Sequence, residues 1–235
     1  MANKYGMVLI SYIRGSQREE WARRSFEGLT RTNTKGLVKP SLLLSYKDTG
    51  FDYKPYVDKW AEKFELVYGE DPEHVIGLDP IFIYSANHML ELWPDRTHIV
   101  FLTDDVLYNP EWLQQLDGLI ERHPDGKAWT VYRSAYEYHH KTMQICDNGD
   151  IEVRSISGIG TISVQEWREY NPDWKIGHGG FYVMSPEGGC TLDLHHAWER
   201  KGQRWSTGAS YWDHIGMVGT HSNCDQEHAN NFVGE

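Results

Sequence analysis

Apolar residues recur along this 235-residue chain in two alternating rhythms. Unbroken runs at Met7–Tyr12, Ser41–Tyr46, Glu65–Tyr68, Ile99–Leu102 and Ala128–Tyr132 have the length of strands. Between them apolar side chains return every three or four residues, the spacing that lines one face of a helix. It predicts helices over 17–29 (Trp21, Ala22, Ser25, Phe26, Leu29), 56–64 (Tyr56, Val57, Trp60, Ala61, Phe64), 80–93 and 111–123. The punctuation agrees. Arg14-Gly15-Ser16 offers a turn with Ser16 as a helix cap, Lys47-Asp48-Thr49-Gly50 stops the second strand, and Pro110 suits the first turn of the fourth helix.

Strands separated by helices imply crossover connections, hence an α/β fold with a mostly parallel central sheet flanked by helices. After Tyr132 the pattern loosens and turns more polar. Gly179–Ser185 reads as a last core strand, and Thr191–Lys201 as a helix closed by Gly202. No linker or internal repeat interrupts the chain, so residues 1–235 read as a single domain.

Open parallel sheets bind ligands beyond the carboxyl ends of their strands, so the residues just after each run carry the candidate chemistry. Ile99–Leu102 leads directly into Thr103-Asp104-Asp105. Two adjacent carboxylates repel unless something positive lies beside them, and a hard cation such as Mg²⁺ or Mn²⁺ shared with phosphate oxygens is one answer. The other is that Asp104 caps the next segment while Asp105 is solvated; spacing alone weighs these equally.

Three segments in order, Ser85-Ala86-Asn87-His88-Met89, the strand His98 to Val106, and Asn109-Pro110-Glu111-Trp112-Leu113, resemble the central region of family 2 and related GT-A glycosyltransferases. The resemblance implies a Rossmann-like GT-A fold, a DxD-type metal site and a nucleotide-sugar donor, with UDP the nucleotide by analogy. Thr103 stands where the family's first aspartate often does, so Asp105 becomes the main metal ligand and Asp104 a contact to ribose or metal. On the same resemblance Tyr12, Arg14 and Asp48 face the base, ribose or phosphate. Asn87 lies on the helix before the metal-binding strand, and His214, followed by Ile-Gly, lies near the metal or diphosphate. His221 and Ser222 are then candidate phosphate contacts. Residues 1–132 would form the nucleotide-sugar half and 133–235 the acceptor half.

The catalytic base is less clearly marked. An inverting transfer needs a carboxylate near the acceptor hydroxyl. Relatives supply it from an acidic pair before a glycine-ended helix, where this chain has Cys190 and Thr191. Asp193 is the first candidate, with Asp213 and Glu187 behind it; a retaining reaction becomes more attractive if none serves. The pairs His139-His140 and His195-His196 diverge on any regular backbone and make no chelating face alone. Gly177-His178-Gly179-Gly180 lacks the spacing of a dinucleotide fingerprint.

Charge and composition narrow the partners. A formal charge of −11 disfavours nucleic acid and anionic membrane surfaces unless a local basic patch intervenes. The densest such group, Arg14, Arg18, Arg23, Arg24 and Arg31, is interrupted by Glu19 and Glu20 and reads as a solvated helix face. Three scattered cysteines, no signal-like start and no bilayer-length apolar run lead to the expectation of a cytoplasmic protein without membrane insertion. The acceptor stays open among a glycan, a small molecule, a protein and a modified nucleic-acid base. Alternatives are a nucleotide-sugar- or glycan-binding module of the same fold without turnover, and a nucleotidyltransferase.

Overall fold

The computed structural model describes residues 2–70, 78–133, 142–153, 156, 160–170, 182–184, 190–192, 204–215 and 232–234. It opens with β1 (Tyr5–Ser11), α1 (Ser16–Thr30), β2 (Ser41–Tyr46), α2 (Lys54–Lys63), β3 (Glu65–Glu70), α3 (Leu78–Leu92) and β4 (His98–Thr103). Each lies within two or three residues of the limits that apolar periodicity set. Then come β5 (Val106–Tyr108), α4 (Trp112–Arg122), β6 (Ala128–Thr130), β7 (Thr142–Ile145), β8 (Ile151–Val153), β9 (Thr161–Ser163) and α5 (Val164–Tyr170). The remainder are short strands: β10 (Tyr182–Met184), β11 (Cys190–Leu192), β12 (Arg204–Ser206) and β13 (Trp212–His214).

Among the described residues, nine strands form one sheet in the order β3-β2-β1-β4-β9-β6-β12-β8-β7. The first four are parallel, as their helical crossovers require. β9 enters antiparallel beside β4, and β12 runs parallel to β6. Side chains alternate across the sheet and divide the core in two. Tyr5, Met7 and Leu9 of β1 with Val100 and Leu102 of β4 pack under α1, α2 and α4. Val8, Ile10, Ile99 and Phe101 pack on the other face under α3 and α5 with Phe82, Met89 and Trp167. β1 and β4 are buried throughout, which explains why they read as unbroken apolar runs.

Two glycines set the position of α1. Gly15 has φ of 90°, in the left-handed region that other residues rarely adopt, and turns the chain from β1 into the helix. Gly28 lets the helix lie against β5, since a Cβ there would sit 3.2 Å from the Tyr108 backbone nitrogen. The helix starts differ from expectation: Gly15, not Ser16, is the N-cap of α1, and Pro110 precedes α4 in a turn where Asn109 Oδ1 accepts from the Glu111 N–H at 2.8 Å.

Two expectations for the second half are overturned. Tyr182–Met184 is no core strand of the large sheet; it pairs antiparallel with Cys190–Leu192 in a separate ribbon. Thr191 and Leu192 are therefore strand rather than the start of a helix, because pairing across the ribbon overrides their local pattern. Residues 193–201 lie outside the described residues.

His98, at the start of β4, gives the fold a pH limit. Its Nδ1 lies 2.9 Å from the Thr97 hydroxyl, and its ring sits edge-on to Trp129. Burial pushes its pKa down to about 4, against the opposing pull of Asp117. Because the folded value lies below the unfolded one, the unfolded chain takes up the proton first. Stability from this group is present above about pH 6.5 and falls as pH drops toward 4, by about 3 kcal/mol in all. Urea unfolding at pH 7 and pH 4.5 should show this loss, and His98→Phe should show about that much less of it. Equal losses in both proteins would discount His98.

Candidate active site

β2 and β4 flank β1 on opposite sides, so the chain reverses direction across the sheet between β1 and β4. A crevice opens at such a switch point, beyond the carboxyl ends of the two strands. Register pairs Ile10 with Thr103, so the next residues, Ser11 and Asp104, face each other across it. The Ser11 hydroxyl donates to Asp104 Oδ2 at 2.8 Å and the Tyr12 backbone N–H to the same oxygen at 3.1 Å. The Tyr53 hydroxyl reaches Ser11 Oγ at 2.9 Å and extends the network to the residues after β2.

Arg18, in the first turn of α1, donates through Nη2 to Asp104 Oδ1 at 2.5 Å and through Nη1 to Asp105 Oδ2 at 2.8 Å. One planar fork thus bridges two neighbouring carboxylates. Burial works against the Arg18 charge, but the two carboxylates outweigh it and raise its pKa. This corrects the expectation of a solvated basic helix face. Its near neighbour Arg23 does fit that expectation, half-exposed and paired with Glu19 one turn away.

β5 leaves the acid pair and returns as a ribbon with β13, where His214 is the register partner of Val106. The Ile215 N–H donates to the Asp105 carbonyl at 2.8 Å and closes the ribbon. These contacts bring His214 Nε2 to 3.5 Å from Asp105 Oδ2, although the two residues are more than a hundred positions apart. Burial would raise the Asp105 pKa, but His214 and Arg18 outweigh it and hold this carboxyl well below the usual carboxylate range. Burial raises Asp104 by more than Arg18 lowers it. The pair is therefore unequal, with the firmly ionised acid beside the histidine.

The other expected site residues separate into groups. Tyr12 and Arg14 are exposed on the loop after β1, at the mouth of the crevice. Asp48 is exposed beyond β2, with Oδ1 accepting from the Gly50 N–H at 2.9 Å and its charge helping raise the Tyr46 and Tyr53 hydroxyls, mainly raised by burial. Asn87 is not brought to the acid pair: on α3, its side-chain oxygen accepts from the Trp167 indole at 2.9 Å and ties α3 to α5. Asp213 neighbours His214 on β13, half-buried, as the register partner of Leu107. Asp193, Glu187, His221 and Ser222 lie outside the described residues, as do both histidine pairs and the Gly177–Gly180 stretch.

No protein-family model matches the chain, and no curated protein matches it by sequence. Solved structures do. S. aureus TarS residues 1–349 in complex with UDP-GlcNAc superposes with a TM-score of 0.62 at 12% identity, over 93% of this chain and 60% of that one. The fold is that of the GT-A glycosyltransferases. The longer S. aureus TarS structure gives a TM-score of 0.59 at 12% identity, over 89% of this chain and 36% of that one. TarS 1–349 in complex with UDP gives 0.58 at 11% identity, over 89% and 59%. The chain thus spans between about a third and three fifths of the TarS chains it matches. At such identities the likeness establishes the GT-A fold and leaves chemistry to the residues.

Proposed function

We propose that this GT-A chain transfers a sugar from a nucleotide-sugar donor, with a UDP-sugar the best-supported class, to an acceptor hydroxyl. The observation that carries the reading is the unequal pair Asp104 and Asp105 at the switch point of the sheet, with His214 folded back onto Asp105. The structural neighbours add support, since two of them hold UDP-GlcNAc or UDP.

A metal fits this arrangement in part. Among the described residues no three His, Cys, Asp or Glu side chains cluster to hold an ion alone. Mg²⁺ and Mn²⁺ sites for nucleotides, however, use one or two protein ligands and take the rest from phosphates and water. Asp105 Oδ1 is buried and makes no hydrogen bond of regular geometry, although the Thr103 side chain helps lower this carboxyl, leaving an acceptor to satisfy. A carboxylate oxygen with an imidazole nitrogen suits Mn²⁺. In the proposed site Asp105 and His214 hold the cation, which supplies Lewis-acid stabilisation of the leaving diphosphate.

The chain's own groups do the rest. Asp104, fixed by the Ser11 hydroxyl and the Tyr12 N–H, holds the ends of β1 and β4 together, so the crevice is preorganised. Tyr12 offers an exposed ring for stacking on the base, and Arg14 a guanidinium for base or phosphate. Asp48 stands at the same sheet edge to accept from the base. Residues 1–132 form the donor half of this reading and 133–235 the acceptor half. Asp193 is the proposed base. No helix of the described residues is long and apolar enough to cross a membrane, and a cytoplasmic setting is part of the proposal.

Arg18 gives footing to a second reading: acids neutralised from within could serve a module that binds a nucleotide without a cation and without turnover. A panel of nucleotide sugars, each with and without Mn²⁺, separates the two by diphosphate release and thermal stabilisation. The transferase reading expects one donor class to stabilise the protein and to be slowly hydrolysed, both only with Mn²⁺. Stabilisation without release, indifferent to Mn²⁺, would favour the module. A flat response to every donor would defeat both.

A further inference from the structure

The acid pair already has a cation, supplied by the chain itself. Asp104 has both oxygens engaged, Oδ2 by Ser11 and Tyr12 and Oδ1 by Arg18, and its side chain is 1% exposed. Its one remaining acceptor site is on Oδ1, beside the Arg18 guanidinium, so an ion there would meet the same charge. Asp105 shares Oδ2 between Arg18 and His214 and keeps only the buried Oδ1. An ion entering between Asp105 and His214 therefore meets the guanidinium on the same carboxylate, and two cations on one oxygen repel strongly in a buried setting. Arg18 is able to yield. Its side chain is 27% exposed, its Nε makes no hydrogen bond, and it stands on the first turn of α1, next to the loop that ends in Gly15.

We propose that Arg18 is a resident counter-cation that a divalent ion must displace from Asp105, so that cation affinity is set by competition with this side chain. The proposal rests on the reading that Asp105 holds the ion. It gives Arg18 two positions. Without an ion it neutralises the buried carboxylates and keeps the crevice folded. With an ion on Asp105 it swings toward the crevice mouth, where a planar fork matches the oxygens of a nucleoside diphosphate. Ion and nucleotide then bind together: the diphosphate receives the guanidinium that the ion expels, and Mn²⁺ alone binds weakly because its site is free only while Arg18 is away.

The test is direct Mn²⁺ binding, read from the electron paramagnetic resonance of free Mn²⁺, on the intact chain and on Arg18→Gln, with Asp105→Asn as the variant lacking the site. Arg18→Gln is expected to bind Mn²⁺ about tenfold or more tightly than the parent in the absence of nucleotide. UDP should then improve Mn²⁺ affinity less in the variant than in the parent. Equal or weaker Mn²⁺ binding by folded Arg18→Gln overturns the proposal and leaves the metal site standing. Absence of binding by every form, with or without UDP, overturns the metal site and this proposal together. If Arg18→Gln unfolds because its carboxylates have lost their counter-charge, recovery of its circular dichroism on adding Mn²⁺ supports the proposal, and failure to recover overturns it.

Discussion

Asp105→Asn is expected to abolish Mn²⁺-dependent stabilisation by UDP and to lower donor hydrolysis or transfer by about 100-fold or more. The change is nearly isosteric and removes a single charge. Asp105 is the acid whose carboxyl Arg18 and His214 keep ionised, and its Oδ1 is the buried acceptor left without a regular partner. Asn cannot supply the charge that holds a hard cation against a diphosphate. Arg18 retains Asp104, so the crevice should persist. A carboxyl with a depressed folded pKa contributes stability above its unfolded value, near pH 4, and loses it only as pH falls further. At pH 7 the variant is therefore expected to melt somewhat earlier than the parent, and the ligand-induced rise in Tm, not the ligand-free Tm, is the informative quantity. An unchanged rise with UDP and Mn²⁺ would rule out Asp105 as the metal ligand.

Phe26→Ala is expected to cost about 3–5 kcal/mol, or a Tm drop on the order of 10 °C for a chain of this size. Phe26, on the buried face of α1, is fully covered and meets Phe51, Tyr53, Tyr56 and Trp60 with ring centroids 5.3 to 5.9 Å apart. Truncation leaves a void walled by rings too large to close it. The loss should reach the crevice, because Tyr53 packs on Phe26 and hydrogen-bonds Ser11, which in turn holds Asp104. Calorimetry with a UDP titration checks both parts. A Tm within about 3 °C of the parent, which corresponds to roughly 1 kcal/mol, would mean that the cluster repacks.

The two halves of the chain differ in how much of them could be read beforehand. In β1, β2 and β4 both faces are covered, so nearly every position is apolar and the runs mark the strands within a residue or two. The acid pair was visible for a related reason: charges directly after a buried strand must lie at a sheet edge. Beyond β6 the described strands are three or four residues long, and several pair with partners distant in sequence, as β13 does with β5 and β12 with β6. Such short segments hold too few positions for a period to show. Cys190–Leu192 illustrates this, a strand by its pairing with Tyr182–Met184 where local pattern suggested a helix.

Residue types and spacing alone determined the α/β order, the strand edge carrying Asp104 and Asp105, and the need for a positive group beside them, because these follow from local periodicity and the repulsion of adjacent charges. Which positive group folding supplies was decided by tertiary structure. Arg18 reaches the acids because Gly15 turns α1 back over the strand ends and Gly28 lets it settle on β5, and His214 arrives on a ribbon closed from the far end of the chain. The same packing assigned Asn87 to Trp167 and made Asp213 the register partner of Leu107. Each of these outcomes depends on where two elements distant in sequence meet, and no local pattern records that.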